Sequence, residues 1–200
     1  MNLHILQKLG VYIDQEFLSK DECKEIRQAI REGEQVAANV YSKRDQSRKI
    51  DPEKRQSLFA KVPATLAAKT DRKIEALRPR LEEKFNERFA AQMEAAKFLL
   101  YREGHFFAPH TDDQLGRRVN LSIYLNDQTD HGDDGTYSGG ELKLYGLVDR
   151  PEWNNRGMSL RGQGGMLVAY RADLVHEVTP VLCGERYAIV ARFLQHQGNS

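Results

Sequence analysis

The chain has 200 residues, of which 40% are hydrophobic and 30% charged, with a formal net charge of +1. This is a globular rather than a disordered composition, long enough for one domain with a sizeable core. The balanced charge gives no reason to expect a nucleic-acid or membrane partner, and no apolar run approaches the length of a membrane span.

The opening Met1-Asn2-Leu3-His4 lacks a basic region followed by an apolar stretch, so no secretory signal is expected. Cys23 and Cys183 are too few and too far apart for a disulfide framework. Two free thiols without a signal suggest the cytoplasm, although two incidental core cysteines account for them equally well. Oligomeric state is left open.

In chain order, Val11-Tyr12-Ile13 reads as a short strand. Ser19-Lys20-Asp21-Glu22 is a capping box and predicts a helix whose apolar stripe is Cys23, Ile26, Ala29 and Ile30. The polar segment 36–58, with Lys43, Arg44, Arg48, Lys49, Lys54 and Arg55, is either a solvated loop or a substrate-facing flap. A second helical region runs from about Ala64 to Phe89, where Leu66, Ile74, Leu77, Leu81, Phe85 and Phe89 recur at helical spacing. Pro79 should kink or split it.

Near residue 94 the pattern changes from helical to short apolar runs separated by Gly and Asp turns. Strands are expected near 95–102, 118–126, 140–145, 165–170, 174–179 and 186–194. Residues 118–125 alternate as a half-buried strand should. Many short strands preceded by helices predict an α+β chain with a mainly β core, a sandwich or jelly roll with helices packed on one sheet. The acidic, Gly-containing segment from Asn126 to Ser138 reads as a plain solvated loop, with a lid or a weak cation site as alternatives.

The chemistry concentrates at His110-Thr111-Asp112. Residues two apart on a strand share a face, so this pair can reach one metal ion. Two imidazoles and one carboxylate on one side of a metal leave its other positions open for cosubstrate and oxygen, as iron(II) oxygenases require. His176, at the centre of Leu174-Val175-His176-Glu177-Val178, is the best third ligand. His105 and His131 lack a same-face carboxylate. Arg186, ten residues after His176 on the next strand, can grip a carboxylate through two parallel hydrogen bonds, or be a solvated strand-edge charge.

In order along the chain stand Phe98-Leu99-Leu100-Tyr101-Arg102-Glu103-Gly104, Pro109-His110-Thr111-Asp112, Arg118, Ser122-Ile123-Tyr124-Leu125-Asn126 and Ser138-Gly139-Gly140-Glu141-Leu142. Gly165-Met166-Leu167-Val168, His176-Glu177-Val178-Thr179-Pro180-Val181 and Gly184-Glu185-Arg186-Tyr187 follow. With this set, residues 97–194 resemble the catalytic core of the prolyl 4-hydroxylase-type Fe(II)/2-oxoglutarate dioxygenases. The resemblance implies a double-stranded β-helix, cupin-like, in one domain over 1–200, with helical support in 1–93 and the catalytic β core in 94–195.

The resemblance further implies His110, Asp112 and His176 as iron ligands and Arg186 as partner of the 2-oxoglutarate distal carboxylate. Tyr124 matches a position that helps hold that carboxylate, and Tyr101 one that lines the cosubstrate pocket; ordinary core aromatics are the alternative. Iron(II), 2-oxoglutarate and O2 are the implied cofactors, with ascorbate as an optional reductant. The implied activity is hydroxylation of an unactivated C–H bond, with succinate and CO2 as coproducts. A prolyl or other peptidyl side chain is the leading substrate; a free amino acid or natural-product intermediate is the alternative. The chain departs from some relatives in one respect. They carry Trp six residues after the Arg, whereas Arg192 stands here; pointing inward, it would alter the substrate pocket or hold an acidic group.

Two readings from other classes compete. A cupin-like binding protein without turnover predicts no oxygen-dependent loss of 2-oxoglutarate, and the intact triad with Arg186 argues against it. A zinc hydrolase with the same ligands would leave Arg186 and Tyr124 without a role.

Overall fold

The computed structural model describes residues 3–42, 44–132, 135–148, 150 and 156–196. Lys43 of the basic segment and Asp133 and Asp134 of the acidic loop lie outside the described residues, as do Met1 and Asn2.

Two antiparallel sheets form the frame. The larger runs β1 (Tyr12–Asp14), β13 (Leu167–Arg171), β9 (Arg117–Tyr124), β16 (Arg186–Leu194), β7 (Glu94–Tyr101), β6 (Leu58–Ala60) and β2 (Gln35–Ala37). The smaller runs β12 (Met158–Leu160), β11 (Leu142–Leu144), β14 (His176–Val178), β8 (Phe106–His110) and β5 (Arg55–Gln56). Consecutive strands of the second half pass between the sheets, which is the double-stranded β-helix expected. Two short ribbons complete it, β10 (Tyr137–Gly139) with β15 (Val181–Gly184) and β3 (Val40–Ser42) with β4 (Ser47–Lys49).

Helices cover the outer face of the larger sheet. The capping box forms as expected: Ser19 Oγ accepts from Glu22 N–H at 3.1 Å and Glu22 Oε2 accepts from Ser19 N–H at 2.9 Å. It opens α2 (Lys20–Glu32), whose Cys23, Ile26 and Ile30 are buried. An N-terminal turn of helix, α1 (Leu3–Lys8), precedes it. The long helical region divides into α3 (Ala64–Glu75) and α4 (Arg78–Phe85). Pro79 lies in the first turn of α4, where its missing N–H costs nothing, so it starts a new helix rather than bending an old one. Ile30, Leu66, Ile74 and Leu81 pack against Phe98, Leu121, Ile123, Ile189 and other residues of the large sheet in one apolar layer.

The structure corrects two expectations. Residues before 94 are not only helical support: β2 and β6 extend the large sheet, β5 extends the small one and β3 pairs with β4, so segment 36–58 carries short strands rather than one loop. Its charged residues masked strands of two or three residues, too short to show a period. The second correction concerns β9. It is not half-exposed; Val119, Leu121 and Ile123 face the helices, and Asn120, Ser122 and Tyr124 face the space between the sheets. Its polar alternation marks an interior cavity, not solvent.

Ser19→Ala should cost about 1 kcal/mol, the usual loss of an N-cap. Ile74→Ala, in a fully buried position, should cost about 2–5 kcal/mol. Urea unfolding followed by circular dichroism measures both.

Candidate active site

β8 and β14 run antiparallel in the small sheet, and their register sets His110 directly opposite His176. The two rings lie 4.2 Å apart, centroid to centroid. Asp112 arrives differently from the strand-alternation expectation. The chain leaves the ladder after His110, and the Asp112 N–H donates instead to Ala172 O at 2.8 Å, in the turn after β13. That bond turns the carboxylate inward, with Asp112 Oδ2 3.9 Å from His176 Nε2. Ligand-capable atoms of His110, Asp112 and His176 all lie within 4.8 Å of one another, which makes them a metal-capable group of the described residues.

Both imidazoles are held in one tautomer. His110 Nδ1–H donates to Ala108 O at 2.8 Å, and His176 Nδ1–H donates to Leu174 O at 2.9 Å. A carbonyl can only accept, so each Nε2 carries the free lone pair a metal needs. Burial pushes His110 down to about 3, with His176 adding to the shift, and burial likewise lowers His176. Both are neutral at physiological pH. Phe107 stacks on His110 at 3.5 Å and Tyr170 meets His176 edge-on at 5.0 Å, fixing the rings.

A buried carboxylate needs compensation. Burial pushes Asp112 up, but Arg192 and the neighbouring histidines hold it well below the usual carboxylate range. Arg192 donates to Asp112 Oδ2 from Nε at 3.0 Å and from Nη2 at 2.7 Å, while Arg117 reaches Oδ1 from Nη1 at 3.4 Å. Glu94 completes the cluster, taking Arg117 Nη2 at 2.8 Å and Arg192 Nη1 at 3.5 Å. Arg192 therefore points inward and holds an acidic group, and the group is Asp112.

Arg186 lies 2% exposed on β16, paired across the ladder with Tyr101 of β7. Its guanidinium carbon lies 5.0 Å from the Tyr101 ring centre and 5.2 Å from that of Tyr124. Tyr137 of β10 lies beside it. Arg186 Nε, Tyr124 Oη and Tyr137 Oη are all buried without a hydrogen-bond partner in the structure. A buried cation and two buried hydroxyls left unsatisfied cost free energy, and a carboxylate accepting from all three would remove that cost. Glycines keep the space open. A Cβ on Gly162 would come 2.2 Å from Tyr137 Oη and 2.6 Å from Tyr124 Cδ1, and one on Gly140 would come 3.0 Å from Arg186 Cδ.

Two cavities adjoin the triad. A narrow one of about 40 Å³ reaches inward past Tyr101, Asn120, Ser122 and Tyr170; both polar atoms of the Asn120 side chain are unsatisfied there. A larger cleft of about 410 Å³ opens from His110 and Asp112 between β3, β4 and the edge of the large sheet.

Of the residues expected at the site, His110, Asp112 and His176 come together, and Tyr101 and Tyr124 flank Arg186. Four further residues were not foreseen. Tyr137 was hidden in the acidic loop, where only its position before Ser138-Gly139-Gly140 hinted at an interior turn. Asn120 was taken for a solvent-facing position. Arg55, inside the charge run, is buried between Phe59 and Phe107, 4.9 and 4.4 Å from their ring centres. Arg117 carries no local signal. His105 and His131 stand apart from the triad, and Asn126 proves structural, accepting from Tyr187 N–H at 3.0 Å and donating to Glu185 O at 2.8 Å.

Residues 96–193, about half the chain, match the family model of the 2OG-Fe(II) oxygenase superfamily. A PKHD-type hydroxylase of Maricaulis maris is 37% identical over 92 residues, which span 45% of this chain and 37% of that relative's length. Solved structures share the fold. A Pseudomonas putida prolyl-4-hydroxylase superposes with a TM-score of 0.67 at 22% identity, covering 93% of this chain and 92% of its own. A Trichoplax adhaerens prolyl hydroxylase, solved with a hypoxia inducible factor oxygen degradation domain peptide fragment, gives 0.67 at 22% identity, covering 98% and 88%.

The buried histidines make the metal-free protein acid-sensitive. Unfolded, His110 takes a proton near its ordinary value of 6.5; folded, it resists until about 3. Between these the unfolded chain binds more protons, so stability is lost as pH falls through this window. His110→Asn should flatten part of that fall, as read from denaturant midpoints of the metal-free protein at about pH 7.5 and about pH 5, either side of the ordinary histidine value.

Proposed function

We propose that the chain, whose residues 96–193 match the 2OG-Fe(II) oxygenase superfamily, is an oxygenase of prolyl 4-hydroxylase type that hydroxylates an unactivated C–H bond of a peptidyl or amino-acid-like substrate. The observation that carries the reading is one spatial sequence. A triad with two free imidazole lone pairs and one ionised carboxylate stands in the same interior as a buried Arg186 Nε and two buried tyrosine hydroxyls that lack hydrogen-bond partners.

The residues fit the cofactors. His110 Nε2, His176 Nε2 and the Asp112 carboxylate would hold iron(II), two neutral donors and one anion suited to that ion. Arg186, Tyr124 and Tyr137 would take the distal carboxylate of 2-oxoglutarate, with Tyr101 as a wall. When bound, iron(II) and 2-oxoglutarate supply the oxidising chemistry: one oxygen atom of O2 enters the substrate C–H bond and the other enters succinate, with release of CO2.

The chain's own part is positioning. The Ala108 and Leu174 carbonyls aim the imidazoles. Arg192 and Arg117 keep Asp112 ionised and fix its plane. Gly140 and Gly162 leave room for a carboxylate where any Cβ would intrude. The apolar surroundings of Arg186 exclude water, which strengthens its grip on a dianionic cosubstrate.

The substrate would enter by the 410 Å³ cleft, whose aromatic walls include Phe59 and Phe107. A prolyl or other peptidyl side chain is the first choice, since relatives of this fold include prolyl hydroxylases. A free amino acid is the alternative. Ascorbate as an optional reductant and a cytoplasmic location belong to the same proposal. Among the described residues no helix is long and apolar enough to cross a membrane.

Succinate release from 2-oxoglutarate, dependent on iron(II) and O2, is the test. His110→Ala should abolish it, and wild-type-like release by that variant would sink the assignment. Arg186→Gln should weaken 2-oxoglutarate binding by about tenfold or more, since a charge-assisted hydrogen bond is worth about 1.5–3 kcal/mol. Gly162→Ala should do likewise by filling the pocket, while leaving metal affinity to the triad. Anaerobic calorimetry with Mn(II) and 2-oxoglutarate separates the two effects.

A further inference from the structure

The substrate cleft is far more cationic than the chain as a whole. The net charge is +1, yet among the described residues the cleft is lined by six cations, Arg48, Lys54, Arg55, Lys97, Arg117 and Arg192. Asp112 is the sole acidic residue of that lining. It is already bonded to Arg192 and Arg117, and it would serve the metal. Lys54 is exposed and has its own partner, Asp51, at 3.8 Å.

Arg117 and Arg192 are balanced by Asp112 and Glu94, and Arg48 is exposed at the cleft mouth, but Arg55, Lys97 and Arg48 are not neutralised by ion pairs among the described residues. Arg55 is 8% exposed and gives its hydrogen bonds to neutral groups, Ser57 Oγ at 2.7 Å and Asn39 O at 3.3 Å. Lys97 Nζ lies 5.2 Å from the Phe59 ring centre on the cleft wall, half-buried. Arg48 enters from β4, which pairs with β3 over the mouth of the cleft. Among the described residues neither Arg48 nor Lys97 has a carboxylate within ion-pair distance. Burial, Arg48 and Arg192 together push Lys97 down to about 8. Like charges gathered in a partly dry cleft repel one another. Such an arrangement persists at a binding site because its ligand supplies the missing negative charge.

Resting on the oxygenase reading above, we propose that Lys97 and Arg48 form a subsite for a carboxylate of the substrate, so that the residue oxidised is itself acidic or directly adjoins an acidic one. The Arg fork and the Lys point charge suit a carboxylate, and the aromatic walls suit the carbon skeleton that carries it. The carboxylate could belong to a free amino acid or to an Asp or Glu side chain of a peptide; the chemistry recognised is the same. Arg192 links the subsite to the metal ligands. It lies between Asp112 and the cleft, so an anion bound there would sit close to the reacting centre.

The test uses the full chain loaded with Mn(II) and 2-oxoglutarate without oxygen, and reads binding by calorimetry. The probes are blocked pentapeptides centred on proline with Asp, Asn or Lys beside it, and free L-aspartate, L-asparagine and L-lysine. At least one acidic probe should bind about tenfold or more tightly than its neutral counterpart, as two charge-assisted contacts allow, with the lysine probes weakest. The peptide and free amino-acid arms separate the two sources of the carboxylate. Lys97→Glu should abolish or invert the preference, and Lys97→Gln and Arg48→Gln should each reduce it severalfold. Lys24→Glu, on the exposed face of α2, should retain it. Neutral or basic probes binding as tightly as the acidic ones, or no acid-selective binding in either arm, overturns the proposal while 2-oxoglutarate still binds. Failure of the wild-type chain to bind 2-oxoglutarate at all overturns the oxygenase reading beneath it.

Discussion

The site depends on one cross-strand pair. His110 and His176 stand opposite each other in neighbouring antiparallel strands. A strand places successive side chains on opposite faces, so a slip of one residue in this register would send one imidazole out of the cavity. The register is secured on the far side of β14 by β11, where Leu142, Lys143 and Leu144 pair with Val178, Glu177 and His176. It is secured at the end of β8 by the Asp112–Ala172 backbone bond, which ties the small sheet to the turn following β13 in the large one. Metal-capable geometry is thus a property of sheet pairing, and the helices contribute by anchoring the sheet that carries Arg186, Arg192 and Tyr124.

Bringing Asp112 inside forces the second layer of the design. An ionised carboxylate buried beside two neutral imidazoles has no local compensation, so cations must come from other strands. Arg192 arrives from β16 and Arg117 from β9, and both need Glu94 of β7 to balance them. The result is a four-residue ionic cluster spanning three adjacent strands of the large sheet and the end of β8. Because each member lies on a different segment, the cluster forms only when the fold is complete. It also leaves Arg192 facing the cleft, in the position where some relatives of this family carry Trp. A flat apolar wall is there exchanged for a hydrogen-bonding cation.

Two cavities adjoin the triad. The inner one is narrow, about 40 Å³, and meets both unsatisfied polar atoms of the Asn120 side chain. The outer cleft is larger, open and cationic, with aromatic walls. Between them stand the triad and Asn120. β9 contributes to both sides of the site through a single alternation: Ile123, Leu121 and Val119 hold the helices, while Tyr124, Ser122 and Asn120 line the interior.

The sequence by itself determined which residues are candidates for the site and most of the strands that carry them. His110, Asp112, His176 and Arg186 stood out because a metal site and a carboxylate grip call for specific residue types, and these stand in a fixed order with turn residues between them. The capping box of α2 and the break at Pro79 were legible because they depend on neighbours within one helical turn. What only the tertiary structure decided depends on contacts between distant segments. The short strands of 36–58 have too few residues to show a period; β6 and β5 exist through pairing with β7 and β8. Arg55 and Tyr137 look like members of a charge run and a solvated loop until the sheets close over them. Arg192 bears on Asp112 across 80 positions of sequence, a relation no local pattern encodes. The physical reason is the same throughout: periodicity and capping report the chain's local geometry, whereas burial of charge is settled only by what the rest of the fold brings to meet it.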